Sequence, residues 1–245
     1  MTPLQLFALI CIFAVVRVAI SIRPGAPAGG APASGSTRAI LREYLDAFIV
    51  AGLVALFLIT FVVRTFFIPS GSMEPTLQVH DVLLVNEFEY RFLGPKHGDI
   101  VVFPPPIESP NDFIKRLIGA PGDTLRVHNG VVYRNGVALN EPYTAQKPSY
   151  ELEIRDYGIF VDGNRLDPAL ANVPPKSAWT NSDRIPDGYY FMMGDNRNNS
   201  EDSHIWGFAQ LHGTFASGYL KGKPAHFTGH AFLLFWPLSR FRILH

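Results

Sequence analysis

Two long apolar runs fall within the first 65 residues, and they restrict what the chain can become more than any other feature. Residues 4–22 are apolar apart from Gln5, Arg17 and Ser21, and residues 47–63 are interrupted only by Gly52 and Thr60. At about 1.5 Å of rise per residue the second run covers roughly 26 Å as a helix, close to the hydrocarbon thickness once Phe66, Phe67 and Ile68 are added. The pattern predicts two N-terminal transmembrane helices, with Arg17 snorkelling toward the nearer interface. Apolar residues make up 47% of the chain and charged residues 17%, and the apolar excess is concentrated in this region. Residues 24–36 form a Pro/Gly/Ala/Ser tract that cannot hold a core and read as a linker.

Arg23, Arg38 and Arg42 fall in the connection between the runs, whereas the residues before Leu4 carry no basic side chain. The positive-inside rule then places the linker in the cytoplasm and everything after about Thr65 outside it, with Arg64 working mildly against this orientation. The expected organisation is a first transmembrane helix at 1–22, a cytoplasmic linker at 23–45, a second transmembrane helix at 46–65 and an extracytoplasmic domain at 66–245. The alternative is that 4–22 is a cleaved signal segment with the APA tract as its processing site. The missing basic n-region favours a retained helix.

From Ile68 onward the pattern changes to short β-type runs separated by turn signals. Residues 82–85, 100–103, 124–127, 131–133, 189–193 and 232–236 are rich in β-branched and aromatic side chains and predict strands. Asn129-Gly130 and Asn135-Gly136 are two-residue turn signals and predict a meander through 124–139. Residues 143–188 are polar, Pro-rich and weakly patterned, which suggests an insertion or ribbon on the rim. The fold class is therefore a mostly β domain of antiparallel sheets behind two transmembrane α-helices.

Composition excludes several function classes. Formal net charge is zero, from 21 basic and 21 acidic residues, and no basic run tracks a phosphate backbone, so nucleic acid is not an expected partner. Cys11 is the single cysteine and lies in an apolar run, which rules out an internal disulfide. The eight histidines show no metal-ligand spacing, so neither a metal nor a cofactor is expected.

Three segments carry candidate chemistry: IPSGSMEPTL at 68–77, FIKRLIGAPGD at 113–123 and GDNRNNSEDSHIWGF at 194–208. The first sets Ser72 between Gly71 and Met73, with Pro69 and Pro75 restricting the backbone on either side. An unhindered hydroxyl on a stiff turn suits a nucleophile, although a serine in a Pro/Gly turn taken alone more often caps the turn. No GxSxG elbow is present, and nothing ties His80, His97 or His204 to Ser72 as in a Ser-His-Asp triad. Lys115 offers another base. Strand alternation puts it opposite Ile114 and Arg116. A free lysine is only about one part in 2,500 deprotonated at pH 7, a deficit of roughly 4.6 kcal/mol, which burial against apolar surface can largely remove. A lone lysine on a strand is more often simply exposed.

The segments SGSMEPTL, GDIVVF at 98–103, KRLIGAPGD and GDNRNNSEDS occur in this order, and together they resemble the signature boxes of the type I signal peptidase family, whose machinery is a Ser/Lys dyad. The resemblance implies a membrane-bound serine endopeptidase that removes N-terminal signal peptides from exported preproteins after small residues, at Ala-x-Ala sites, through an acyl-enzyme. It implies Ser72 as nucleophile, Lys115 as general base and then proton donor to the leaving amine, and Ser200 as the hydroxyl orienting the lysine amine. Ser70 matches the side chain that forms the oxyanion hole with the backbone N–H of Ser72. Phe66, Ile68, Phe113 and Ile114 are implied to line pockets that accept only small side chains, though each could equally be plain core.

Two positions depart from the family pattern. Asn198 stands where an acid is usual, and His204 stands where an arginine is usual, so an ion pair involving Asp202 is expected to be weaker or pH-dependent. Implied partners are signal-peptide-bearing preproteins and membrane lipid, near the secretion translocon, for a monomeric enzyme. The expected location is a bacterial inner membrane, multi-pass, with the catalytic domain on the periplasmic side; a thylakoid or similar organelle membrane is the alternative, because related enzymes work there. The rivals are a self-cleaving repressor-type Ser/Lys protease, which would lack the membrane helices, and a membrane-tethered β-domain that binds export substrates without cutting them.

Overall fold

The computed structural model describes residues 3–21, 37–61 and 63–244, which divide into two compact units, 1–64 and 65–245. The expected linker at 24–36 lies outside the described residues.

The first unit is a helical pair, α1 (Pro3–Ser21) and α2 (Thr37–Phe61). Their contacts run in opposite directions along the chain. Arg17 donates twice to Asp46, at 2.8 and 3.2 Å, the Phe13 and Phe48 rings lie 6.0 Å apart, and Gly52 sits so close to Ile10 that a Cβ would meet its side chain at 2.8 Å. Among the described residues one helix is long and apolar enough to cross a membrane, over Leu4–Ser21. The expectation of two such helices is corrected to that extent. The second helix begins at Thr37, inside the expected linker, so it takes in Arg42, Glu43 and Asp46. It ends at Phe61, and the chain is extended from Val63. Arg17 is held by Asp46 rather than snorkelling alone, a pairing that strand-like or helical periodicity in either run alone could not reveal.

The second unit is β-rich. An eight-stranded sheet has the order β1-β2-β13-β3-β4-β11-β12, with β14 beside β13; a six-stranded sheet has the order β10-β9-β8-β5-β6-β7. The strands of the first are β1 (Val63–Phe67), β2 (Val82–Asn86), β3 (Ile100–Phe103), β4 (Phe113–Gly119), β11 (Tyr189–Met193), β12 (Ala209–Gln210), β13 (Gly229–Trp236) and β14 (Arg242–Ile243). The second contains β5 (Leu125–His128), β6 (Val131–Arg134), β7 (Val137–Ala138), β8 (Leu152–Arg155), β9 (Gly158–Val161) and β10 (Asn164–Arg165). The pairings from β2 onward are antiparallel.

The first sheet is buried on both faces, which is why its central strands read as unbroken apolar runs rather than alternating ones. In β3, Ile100 and Val102 join a core with Ile68, Met73, Leu77 and Ile114, while Val101 and Phe103 join a separate core with Leu117, Met192 and Trp206. In β11, Tyr190 and Met192 face that second core, and Phe191 and Met193 face a third beneath the six-stranded sheet. The short helix α3 (Ser203–Trp206) sends Trp206 into the second core.

Residues 143–188 are not a peripheral ribbon. They supply β8, β9 and β10, and Tyr150, Leu152, Ile154, Ile159, Val173, Trp179 and Ile185 are buried in the third core. The inward set alternates with Glu153 and Arg155, a period-2 signal that the surrounding prolines and polar residues obscured. Leu152→Ala should therefore cost about 2–4 kcal/mol, whereas Glu153→Ala on the opposite face should stay within about 0.5 kcal/mol. Denaturant midpoints at unchanged m-value for the two variants test this.

Candidate active site

Ser72 sits in a single 3-10 turn, Gly71–Met73, that follows the extended Ser70 (φ −139°, ψ 160°). Met73 is buried in the core shared with Ile68 and Ile114 and anchors this turn against the sheet. Lys115 comes from β4, in register with Val101 of β3, and is 3% exposed. Its Nζ lies 2.9 Å from Ser72 Oγ and 5.0 Å from the centroid of the Phe113 ring. Burial pushes the Lys115 amine down from 10.5 to about 8, against the opposing pull of Asp202, Glu201 and Asp195. About one molecule in ten then carries a neutral amine at pH 7, more than two hundredfold above a free lysine. His97 and His204 are engaged elsewhere, with Asp123 at 2.6 Å and Asp202 at 2.5 Å.

The loop after β11 holds these two segments together. Asp195 is fully buried and accepts from Arg116 Nε at 2.8 Å and Nη2 at 2.7 Å, so it grips the residue next to Lys115. Its Oδ2 also accepts from Thr76 Oγ1, which follows the serine turn. Asn196 donates its backbone N–H to Ser72 O at 3.1 Å and its side-chain amide to Gly71 O at 3.0 Å. Arg197 makes a two-pronged pair with Glu141 at 2.8 and 2.7 Å. A Cβ on Gly194 would stand 2.2 Å from Ser200 Oγ and 2.4 Å from Ser72 O, so only glycine lets the loop approach the serine turn this closely.

The sequence-predicted residues divide accordingly. Ser70, Ser72, Lys115, Ile68, Phe113 and Ile114 line one open cavity of about 440 Å³. Phe66 does not line it; this side chain packs against the core around Ile68. Ser200 is buried beside Gly194, and its hydroxyl has no hydrogen-bond partner among the described residues, so the expected contact with the lysine amine is not formed here. The two departures also have visible consequences. Asn198 accepts from Ser149 N–H at 2.8 Å and donates to Gln146 and Lys147, tying the loop to the segment before β8. His204 pairs with Asp202 and stacks on Tyr150 at 4.3 Å, while Asp202 accepts from Gly194 N–H. Ser109, Asn111, Asp112, Asn199 and Glu201 also face the cavity, and sequence reading did not select them. They belong to loops without a periodic signal; Glu201 and Asn199 flank a residue already singled out.

A β domain that sets a serine hydroxyl against a desolvated amine in an open cavity defines the serine-hydrolase class of site. The family model described as "Signal peptidase, peptidase S26" matches residues 41–219, and the chain belongs to this family. A probable signal peptidase I-1 from Synechocystis sp. is 38% identical over 207 residues, covering 82% of this chain and 85% of the relative. A signal peptidase IB from Staphylococcus aureus is 31% identical over 202 residues, covering 82% and 93% respectively. A solved signal peptidase I structure from Enterococcus faecalis V583 shares 32% identity, covering 48% of this chain and 91% of that one, with a TM-score of 0.34. The chain is thus a signal peptidase I type serine protease, a hydrolase that removes signal peptides.

Two outcomes follow from the geometry. Gly194→Ala should lower kcat/KM at least about a hundredfold, because the serine turn must shift by an ångström or more. Preprotein cleavage kinetics on folded protein check this. Lys115 has a folded-state pKa below its unfolded value, so the unfolded chain holds the extra proton between about pH 8 and 10.5 and stability rises with pH across that window. Below pH 8 the amine is charged in both states and the whole penalty persists. Lys115→Met should therefore stabilise the domain by about 1–3 kcal/mol at pH 7, with a smaller gain at pH 10, in urea unfolding at the two pH values.

Proposed function

We propose that this chain cleaves preproteins after Ala-x-Ala sites through a Ser72/Lys115 dyad and an acyl-enzyme, while anchored in a membrane. The observation that carries the reading is the 2.9 Å contact between Ser72 Oγ and an almost fully buried lysine amine. A neutral Lys115 takes the serine proton as Oγ attacks the scissile carbonyl. The oxyanion is met by the Ser72 backbone N–H, near the start of its turn, and by the Ser70 hydroxyl, which lines the same cavity. The protonated lysine then gives its proton to the departing amine, leaving Ser72 acylated. In deacylation it takes a proton from water. Ser200, with no hydrogen-bond partner among the described residues, is free to turn its hydroxyl toward the amine and hold it in line.

The apolar part of the cavity supports selection of small side chains. Ile68 and Ile114 are buried in one core with Met73, so the wall cannot retreat to admit larger groups. For the anchor, α1 supplies one crossing, and the 47–61 part of α2 is the second in this reading. The Arg17–Asp46 pair would satisfy both charges within the helical pair. Arg23, with Arg38 and Arg42 in the polar first part of α2, would then put the connection in the cytoplasm and the β domain outside, monomeric and close to the translocon that delivers anchored preproteins.

The test is cleavage of an Ala-x-Ala preprotein by detergent-solubilised enzyme. Native protein should cut after the second alanine, and Ser72→Ala and Lys115→Met should each lose at least about a thousandfold in kcat/KM. The acid limb should follow one deprotonation near pH 8, activity rising with pH as Lys115 loses its proton. Retention of native activity by either variant would refute the dyad.

A further inference from the structure

The catalytic cavity has two chemically different walls. Ile68 and Ile114 form the apolar one, suited to the small residues that precede the scissile bond. Asn196, Asn199 and Glu201, all from the loop after β11, form a polar one, together with Ser109, Asn111 and Asp112 from the loop before β4. An extended substrate threading past Ser72 presents its acyl side to the first wall, which leaves the second for the residues that follow the bond.

Glu201 is exposed, faces the cavity and has no hydrogen-bond or ion-pair partner among the described residues. The other carboxylate lining the cavity, Asp112, is committed: it accepts from Thr228 Oγ1 at 2.9 Å. Among the described residues Lys115 is the one cation in the lining, and its amine is engaged with Ser72. The polar side of the cavity therefore presents, in Glu201, a carboxylate that no hydrogen bond or ion pair among the described residues engages, although it also acts on the Lys115 amine.

We propose that Glu201 is a specificity-determining residue that selects for positively charged side chains in the first two residues after the scissile bond. This inference rests on the cleavage reading given above. A cationic side chain there gains the attraction of the free carboxylate, and an acidic one meets repulsion from it in a cavity partly shielded from water. The effect should also weaken with salt, since the carboxylate is exposed.

The experiment uses the full-length solubilised chain and one Ala-x-Ala preprotein in three versions, with Lys, Gln or Glu as the second residue after the cleavage site. In the native enzyme the Lys version should exceed the Glu version by about tenfold in kcat/KM at 50 mM salt, falling to about threefold at 0.5 M. Glu201→Gln should bring the ratio within about twofold of one, and Glu201→Lys should invert it. The inversion is an outcome that a merely structural role for Glu201 would not produce. The ratio should persist in Asp112→Asn. A flat native ratio, a ratio that survives in Glu201→Gln, or one lost in Asp112→Asn instead, overturns the proposal while leaving the cleavage reading intact, provided the Gln version is cut. If the native chain cuts none of the three versions, the cleavage reading itself fails and the inference falls with it.

Discussion

A lysine amine kept out of water beside a serine hydroxyl is the constraint around which the β domain is organised. The two groups come from segments 43 residues apart, and neither is fixed by its own segment. Ser72 stands on a single 3-10 turn and Lys115 on a central strand, so their 2.9 Å contact requires a third element that touches both. The loop after β11 is that element. Asp195 grips Arg116 and Thr76, and Asn196 grips the backbone at Gly71 and Ser72. The same loop is pinned from behind by Arg197 on Glu141 and by Asn198 on the segment leading into β8. The six-stranded sheet thus contributes to the site without lining it, by holding the clamp that holds the pair.

Such a site is costly to fold. The buried Arg116–Asp195 and Arg197–Glu141 pairs are two-pronged, the arrangement in which attraction best offsets the loss of hydration. Among the described residues Lys115 has no carboxylate partner at contact distance, and its lowered pKa marks a folding penalty that the proposed mechanism requires. The buried, unpartnered Ser200 hydroxyl is of the same kind. Both sit where a merely stable protein would place an alanine or a leucine, and strain of this sort is maintained only because the three apolar cores supply stability elsewhere.

Much of this was legible in the sequence, for identifiable reasons. Strands with unbroken apolar runs, such as Ile100–Phe103 and Tyr189–Met193, were readable because both their faces are buried. The two Asn-Gly pairs were readable because each takes two successive positive φ values, 50° and 74° in one and 53° and 79° in the other, as a tight hairpin turn demands. The serine turn and the lysine strand were legible only as ordered boxes, since neither residue type is diagnostic alone. What escaped were interactions between distant segments: the Arg17–Asp46 pair, the burial of 143–188 under the second sheet, and the loop residues that complete the cavity. Helix bounds failed where charged residues in 37–45 looked like linker. Helical hydrogen bonding tolerates such residues on an exposed face, and hydropathy alone does not register that.

The electrostatic surroundings of Lys115 look contradictory at first, because burial disfavours its charge while Asp202, Glu201 and Asp195 favour keeping it. On the proposed mechanism both are needed. The base must be neutral before attack and cationic immediately afterwards, when serine carries the acyl group and the leaving nitrogen still awaits a proton. Burial alone would make the amine a weak proton acceptor and raise the barrier to forming that cation. Carboxylates alone would leave it permanently protonated. The balance near pH 8 puts the amine close to the operating range, where the fraction in the right state and the driving force for proton transfer are jointly largest. The three acids also differ in availability. Asp195 is spent on Arg116 and Asp202 on His204, so Glu201 alone is left facing the cavity. It can therefore influence both the base and whatever charge the substrate brings to the leaving-group side.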